Sequence, residues 1–378
     1  MRRLRLAAVV ACLCAGWACD CQDEPAAVRG PFAALAERLP AAADLIVLID
    51  VAALNTAAAE LQQQLMALPL VREHPRVRQL LEEQRGLLRS LLGALRGRLG
   101  LDPLQDLERV GAGVVLAADG APRWVAAAEG ALPAQLLDQA LPEVAPRQLA
   151  GQAVYAPLPG GPQLAMPEAG LLLAASAGDL EPALQPDPGR AAGWAAAHPG
   201  MLDAGTAAVV RLSLRLPDWL RRRLRSVADQ PGVSTLLGVE RVQLELGEQV
   251  LLAADCRDAE AAERVQHLLA AEANLVAGGQ HLMRGVGFLA LALDLQALPG
   301  LQPAVAEALA DREALRQTLE LLFPELERAP PVTRSGQRVE LRLEAGALRG
   351  MAMISGLLAA VAVPAFARYL ALSKEARP

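Results

Sequence analysis

The chain is poor in the residues that most often carry chemistry. Its 378 residues include five cysteines and 3% aromatic residues. Its four histidines are His74, His198, His267 and His281. They are scattered, and none lies at metal-ligand spacing from a cysteine or a carboxylate, so we expect each to be a surface or structural residue. The cysteines are too few and too scattered for a disulfide framework or a zinc site.

Lysine is almost absent as well. Lys374 is the only one, and the other 35 basic residues are arginines. The net charge is −6 and the basic residues are dispersed, which excludes the electrostatic footprint of a nucleic-acid-binding protein. The densest basic cluster, Arg221 to Arg223 with Arg225, is interpreted as a solvated helix face.

Motifs for catalysis or cofactor binding are missing too. Residues 174–178 place Ser176 after a strand, but they lack the first glycine of the Gly-x-Ser-x-Gly nucleophile elbow. Asp44 and Asp50 flank a predicted strand, about 20 Å apart, which is too far to act on one substrate atom. We therefore predict no catalytic residue, no cofactor and no metal site, and an envelope hydrolase is the least favoured function.

The N-terminus carries the pattern of an export signal. Arg2, Arg3 and Arg5 precede an apolar run that ends at Ala18, so residues 1–18 are predicted to be a signal peptide. The stretch before Cys19 resembles a bacterial lipoprotein signal, which is cut before a lipidated cysteine. This resemblance implies a lipid on Cys19. Plain cleavage after Ala18 and an uncut anchor remain as alternatives, and residues 19–30 are predicted to be a polar tether.

Residues 350–372 form the longest apolar stretch. The segment from Gly350 to Ala367 has no charge and as a helix would span roughly 27 Å, close to the thickness of a bilayer core. It predicts a transmembrane helix, with a buried core helix as the alternative. Arg349 alone lies upstream, whereas three basic residues follow the segment, so the positive-inside rule predicts a cytoplasmic C-terminus.

Part of this segment resembles a known family. Residues 356–369 read Gly-Leu-Leu-Ala-Ala-Val-Ala-Val-Pro-Ala-Phe-Ala-Arg-Tyr, which resembles the N-terminal hydrophobic helix of type IV pilins and pseudopilins. In pilins that helix opens the chain after a processing signal, whereas here the segment closes the chain. The resemblance therefore implies a membrane helix, and neither processing nor polymerisation is carried over.

The body between these segments predicts two domains. Residues 31–181 and 205–345 each contain strands and helices, and residues 182–204 hold four prolines and are predicted to be the linker. The order strand, helix, hairpin, helix occurs in both parts, which indicates a duplicated unit, with chance similarity in an Ala- and Leu-rich chain as the alternative. The apolar run 285–295 is predicted to be a further strand.

Hairpins predominate over strand–helix–strand crossovers, so the predicted class is α+β with antiparallel sheets and packed helices, possessing a C-terminal transmembrane helix. We expect a non-enzymatic, membrane-tethered protein whose body faces the periplasm and is anchored in the inner membrane. It would serve as an accessory or scaffold of an envelope assembly or secretion system. Its partners would be membrane lipid and an envelope protein, with no nucleic acid. The alternative is a carrier or binder of an apolar ligand in a hydrophobic cavity.

Overall fold

The computed structural model describes residues 30–102, 104–118, 122–202, 208–226, 233–292, 307–308, 310–322 and 329–344. The predicted signal peptide (1–18), the tether up to residue 29, and the segment 350–372 lie outside these ranges. Cys19 lies outside them as well.

Within the described ranges, twelve strands form one sheet. They are β1 (Leu45–Asp50), β2 (Leu107–Val115), β3 (Arg123–Gly130), β4 (Arg147–Leu149), β5 (Gln152–Tyr155), β6 (Gln163–Glu168), β7 (Leu171–Ala175), β8 (Val210–Arg215), β9 (Val239–Leu246), β10 (Gln249–Cys256), β11 (Val332–Ser335) and β12 (Arg338–Glu344). Their order across the sheet is β11-β12-β10-β9-β8-β1-β2-β3-β7-β6-β5-β4.

The helices of the described ranges connect these strands. They are α1 (Ala33–Ala36), α2 (Val51–Ala67), α3 (Pro69–Glu73), α4 (Pro75–Leu99), α5 (Leu136–Ala140), α6 (Leu180–Ala183), α7 (Pro188–Ala197), α8 (Asp218–Arg225), α9 (Val233–Leu237), α10 (Ala259–Ala292) and α11 (Arg312–Leu322). Because α10 continues through residues 285–292, the strand predicted at 285–295 is wrong there. An Ala- and Leu-rich run has no period that separates a strand from a buried helix.

The sheet is symmetric about its centre. Strand β1 pairs antiparallel with β2 on one side and with β8 on the other. Moving outward, β2, β3, β7 and β6 follow on one side, and β9, β10, β12 and β11 follow on the other. Beyond the central pair β1 and β8, each side therefore consists of a hairpin followed by a second hairpin, and only the side of β1 continues into β5 and β4.

The predicted fold class needs correction. The strands form one sheet because β1 bridges both halves of the chain. None of the helices in the described ranges combines the length and the apolar character that a membrane crossing requires. The longest, α10, carries charged residues in its first turns, among them Glu260, Glu263 and Arg264. The transmembrane helix predicted at 350–372 falls outside the described residues.

The compact units of the chain do not follow the predicted boundary. Of the described residues, the first unit contains the sheet and comprises those within 30–55, 93–269 and 332–342, and the second comprises those within 56–92, 270–331 and 343–344. Within the second unit, Leu70 and Val71 pack with Leu315, and the Thr318 hydroxyl accepts a hydrogen bond from the Leu70 amide at 3.0 Å. The unit thus has an apolar core of its own.

The segment 182–204, predicted to be a linker, lies within the sheet unit. Pro188 occupies the first turn of α7, and the Asp187 side chain caps this helix by accepting a hydrogen bond from the Gly189 amide. Trp194 is 1% exposed and Met201 is equally buried. The prolines here begin a packed helix, and residues on both sides of the segment contribute strands to the same sheet.

The main apolar core lies on one face of the sheet. Cross-strand partners share a face, so Ile46 and Leu48 lie on the same face as Gly113 and Gly111 of β2. Helix α1 packs on α7 and on this part of the sheet. A Cβ at Gly113 would lie 3.1 Å from the Cβ of Ala43, so glycine here permits the close approach of the chain around α1.

Arg38, which follows α1, is buried among this core. Its Nη1 donates to the Leu184 carbonyl at 2.5 Å, and its Nη2 donates to Glu168 Oε1 at 2.8 Å. The guanidinium therefore satisfies a carbonyl at the end of α6, which has no helical partner of its own. It ties three separate parts of the chain together.

Replacing Arg38 with Leu removes these donors and leaves the Leu184 carbonyl buried without a partner. We expect the free energy of unfolding to fall by about 2 to 3 kcal/mol in urea titrations. Arg72→Leu is the control, because Arg72 pairs with Glu73 on the surface and both side chains are exposed. We expect its effect to stay within about 0.5 kcal/mol. Equal effects of the two substitutions would contradict this role.

Candidate functional site

The residues singled out from the sequence occupy separate places. The Ser176 hydroxyl donates to Asp179 Oδ2 at 2.6 Å and accepts from the Trp124 amide, so it fixes a loop. The Asp50 carboxylate accepts from the Ala53 amide at 2.8 Å and caps α2. Among the described residues, no group of three His, Cys, Asp or Glu side chains is placed to hold a metal ion.

His198 is fully enclosed. It is 1% exposed, its Nδ1 lies 2.8 Å from the Ser213 hydroxyl, and its Nε2 lies 3.3 Å from the Ala43 carbonyl. Burial, together with the positive charges of Arg241 and Arg215, lowers the pKa of His198 to about 3. Ser213 is also fully buried, so this histidine–serine pair is closed to any substrate and serves the packing of the sheet.

A network of charged side chains crosses the second half of the sheet. Asp255 of β10 accepts from Arg241 Nε of β9 at 2.7 Å and from Arg338 Nη1 of β12 at 3.1 Å. Arg338 also donates to Gln243 Oε1 at 2.9 Å and to Glu340 at 2.8 Å. Apolar and charged residues alternate strictly in β12, which predicts a polar face here. Asp255 links that face of β12 to β9 through its hydrogen bonds.

The same face holds the chain that follows α7. Arg241 Nη1 donates to the Ala197 carbonyl at 2.5 Å, and Gln243 Nε2 donates to the Pro199 carbonyl at 2.8 Å. Arg211 of β8 donates to the Met201 carbonyl at 2.8 Å. These donors satisfy the carbonyl at the end of α7 and two carbonyls of the irregular segment after it, so the polar network has a structural role.

A cavity of about 330 Å³ opens where β8 leads into α8. Its lining combines residues from the end of β8, the first turns of α8, β9 and the end of β10. They are Arg215, Leu216, Pro217, Asp218, Arg221, Glu240 and Arg257. Pro217 is the N-cap of α8 and has an extended backbone. The chain turns here from β8 into α8, so the end of β8 and the start of α8 both line the cavity.

Arg221 is the buried member of this lining. The residue is 6% exposed, and its Nη2 donates to the carbonyls of Val239 and Glu240 at 3.2 and 3.4 Å. Its Nη1 lies 4.0 Å from Asp218 Oδ1. Its Nε is buried and, in the part of the chain that the structure describes, has no hydrogen-bond acceptor.

The charges around Arg221 do not balance. Burial and the like charge of Arg257 lower the pKa of the Arg221 guanidinium, and the carboxylates of Glu240 and Asp218 offset this in part. Three arginines and two carboxylates line the cavity. Asp218 is 81% exposed and Glu240 is 53% exposed at their side chains, so water screens much of their charge.

The sequence interpretation of the basic cluster was therefore wrong for one residue. Arg222, Arg223 and Arg225 are exposed, as a solvated helix face requires, but Arg221 points inward. Its position three residues after Asp218 and one turn into α8 places it against β9. Helical spacing alone could have separated Arg221 from Arg222 and Arg223, but not from Arg225, which lies one turn later.

No protein-family model matches the chain, and no curated protein matches it. Three crystal structures of TP0453 are similar to it, at TM-scores of 0.39 for form III, 0.37 for form IV and 0.36 for form I, each with 10% sequence identity. The matches cover 88%, 84% and 89% of this chain and 98%, 95% and 99% of TP0453. At this level the likeness carries no argument about fold or function.

Asp44 lies beside the polar face, and the pH dependence of stability tests whether its carboxyl is buried. It is 6% exposed, and burial raises the pKa of its carboxyl from 3.8 to about 8, although the Leu116 amide and Arg215 favour the ionised form. The folded protein therefore holds this proton more tightly than the unfolded chain does. The resulting stability is complete below about pH 4 and is lost as the pH rises towards 8.

Asp44→Asn keeps the acceptor for the Leu116 amide and cannot ionise. We expect its free energy of unfolding to decline less than that of the wild type between pH 4 and 8, by on the order of 3 kcal/mol. The window above pH 6.5 is the cleanest, because His198 is then mostly neutral in both states. Urea titrations at several pH values measure this, and parallel curves for the two proteins would refute the buried carboxyl.

Proposed function

We propose that the chain is an exported, non-enzymatic protein of the bacterial cell envelope, tethered to a membrane by a lipid on Cys19. The observation that carries this proposal is the N-terminal pattern: a basic start, an apolar run to Ala18, and a cysteine at the position where lipoprotein signals are cut. The body faces the periplasm, and its direct partner at the tether is membrane lipid.

The arrangement of the charged side chains supports a scaffold. Arg241 and Arg338 share Asp255, and Arg211 and Gln243 hold backbone carbonyls. Side chains that are committed to one another and to the backbone fix strands in place. We assign to such a body the role of a scaffold that binds a protein partner in an envelope assembly or secretion system.

The edges of this sheet do not favour the binding of a partner by strand addition. The two edge strands, β4 and β11, have three and four residues, and both are mostly polar. Short polar edges offer few free backbone groups to an incoming strand. A partner would therefore contact side chains of the body.

The apolar-ligand alternative receives no support from the cavity beside α8. Five of its seven lining residues carry charge, and Leu216 and Pro217 are the apolar ones. Cavities that take apolar ligands are lined mostly by apolar side chains. A carrier function would have to use another part of the molecule.

Lipidation is tested by growing cells that express the full chain with an alkyne-labelled fatty acid. Because the lipid is attached through the thiol, we expect Cys19→Ser to abolish incorporation of the label. Cys21→Ser is the matched control, two residues away, and we expect it to be labelled like the wild type. Labelling of the Cys19 variant, or equal loss in both variants, would contradict the tether.

Export is tested separately. We fuse residues 1–40 to a reporter enzyme that is active only outside the cytoplasm, and we expect activity. The control replaces Arg2, Arg3 and Arg5 with Glu, which removes the basic start that a signal peptide needs. An inactive wild-type fusion, or equal activity in the control, would contradict export whatever the outcome at Cys19.

A further inference from the structure

The cavity beside α8 holds a charge arrangement that packing alone does not explain. Arg221 gives two hydrogen bonds to β9 through Nη2, yet its Nε is buried and lacks an acceptor among the described residues. Leaving a buried donor of a charged group unpaired costs more than the bond itself would contribute. The Nε of Arg221 would gain an acceptor if an anion entered the cavity that this residue lines.

Two more arginines face the same space. Arg257 follows β10 and is 43% exposed at its side chain, and Arg215 ends β8. Burial lowers the pKa of Arg221, and the like charges of Arg257 and Arg215 lower it further, so both guanidiniums repel that of Arg221. Each comes from a different element, and the resulting repulsion would be relieved by a bound anion.

We propose that this cavity binds a phosphate group through Arg221, Arg257 and Arg215. A tetrahedral phosphate offers acceptors in several directions, whereas a carboxylate offers them in one plane, and the arginines approach from three elements. The volume of about 330 Å³ exceeds that of a free phosphate ion and leaves room for an ester substituent. The phosphate can belong to a soluble compound or to a phospholipid headgroup.

The two carboxylates of the lining are only weakly paired with its arginines. Glu240 Oε1 lies 3.8 Å from Arg257 Nε, and Asp218 Oδ1 lies 4.0 Å from Arg221 Nη1, so neither makes a short hydrogen bond to its arginine. Both side chains are mostly in water and can turn away from the cavity when an anion enters. Three guanidiniums and two carboxylates line the cavity, and a phosphate ester adds negative charge that the guanidiniums attract.

The first experiment is calorimetric titration of the full chain with inorganic phosphate at constant ionic strength. We expect saturable binding by the wild type and about tenfold or greater weakening in Arg257→Gln, because a charged hydrogen bond is lost. Arg222→Gln is the matched control on the exposed face of α8, and we expect its affinity to stay within twofold of wild type. Arg257 is used because removal of the buried Arg221 would also disturb folding.

The second experiment identifies the source of the phosphate. Vesicles of phosphatidylcholine containing phosphatidylglycerol are floated with the otherwise wild-type chain, Arg257→Gln and Arg222→Gln, each also carrying Cys19→Ser so that no lipid on Cys19 binds the protein to the vesicle. Reduced flotation of Arg257→Gln alone, with competition by inorganic phosphate, assigns the site to phospholipid. Equal flotation of all three proteins, together with selective loss of phosphate binding in Arg257→Gln, assigns it to a soluble phosphate compound.

Two results would overturn the proposal: no saturable phosphate binding by the wild type, or equal weakening in Arg257→Gln and Arg222→Gln. Neither result bears on export or on Cys19, because the described lining of the cavity comes from β8, α8, β9 and the end of β10. A failure of the export and lipidation tests would equally leave this site standing.

Discussion

The pairing of β1 on both of its edges is the contact on which the rest of the sheet depends. Residues 45–50 exchange backbone hydrogen bonds with β2 on one side, and residues 45–49 do so with β8 on the other. All other strands attach outward from these three. Because Ile46 and Leu48 are fully buried, a shift of one residue would move them off the core face, so the register is fixed. Loss of this strand would divide the sheet into two halves.

Arginine supplies most of the buried donors that hold the irregular parts of the chain. Arg38, Arg211, Arg221 and Arg241 each donate to a backbone carbonyl far away in sequence or in a different element. A guanidinium has five donors in a rigid plane and stays charged when buried, whereas a lysine would shift its pKa and lose its charge more readily. A chain with one lysine and few aromatic side chains thus uses arginine both to fill space and to satisfy carbonyls.

Local patterns in the sequence predicted some of the strands correctly, whereas the strand predicted at 285–295 is wrong over 285–292, which lie in α10. The strand expected after Asp44 corresponds to β1, and the alternation of β12 correctly separates the buried Val339 and Leu341 from the charged residue between them, Glu340. These predictions succeed because alternation reports burial on one face of a strand. The union of both halves in one sheet was missed, since the β1–β8 pairing joins distant residues and leaves no local trace.

The candidate site could be predicted only in part. The basic cluster on α8 was evident, yet which of its arginines is buried depends on the position of β9, far along the chain. Prolines in 182–204 indicated a break, but Pro188 begins a helix whose Trp194 donates to the Pro40 carbonyl. Proline is favoured both in linkers and in first turns, and only the packing of the residues that follow distinguishes the two.

The central position of β1 also determines when the sheet can be completed during synthesis of the chain. Leu45 faces Leu214, so β1 is synthesised well before β8 and waits for this partner strand. Until then β1 has only β2 beside it, and one of its edges offers unpaired backbone groups to other chains. Pairings between distant residues close slowly because the loop between them must first be ordered. The half-made chain is therefore the form of this protein most exposed to aggregation, and a chaperone that covers the free edge of β1 would protect it there.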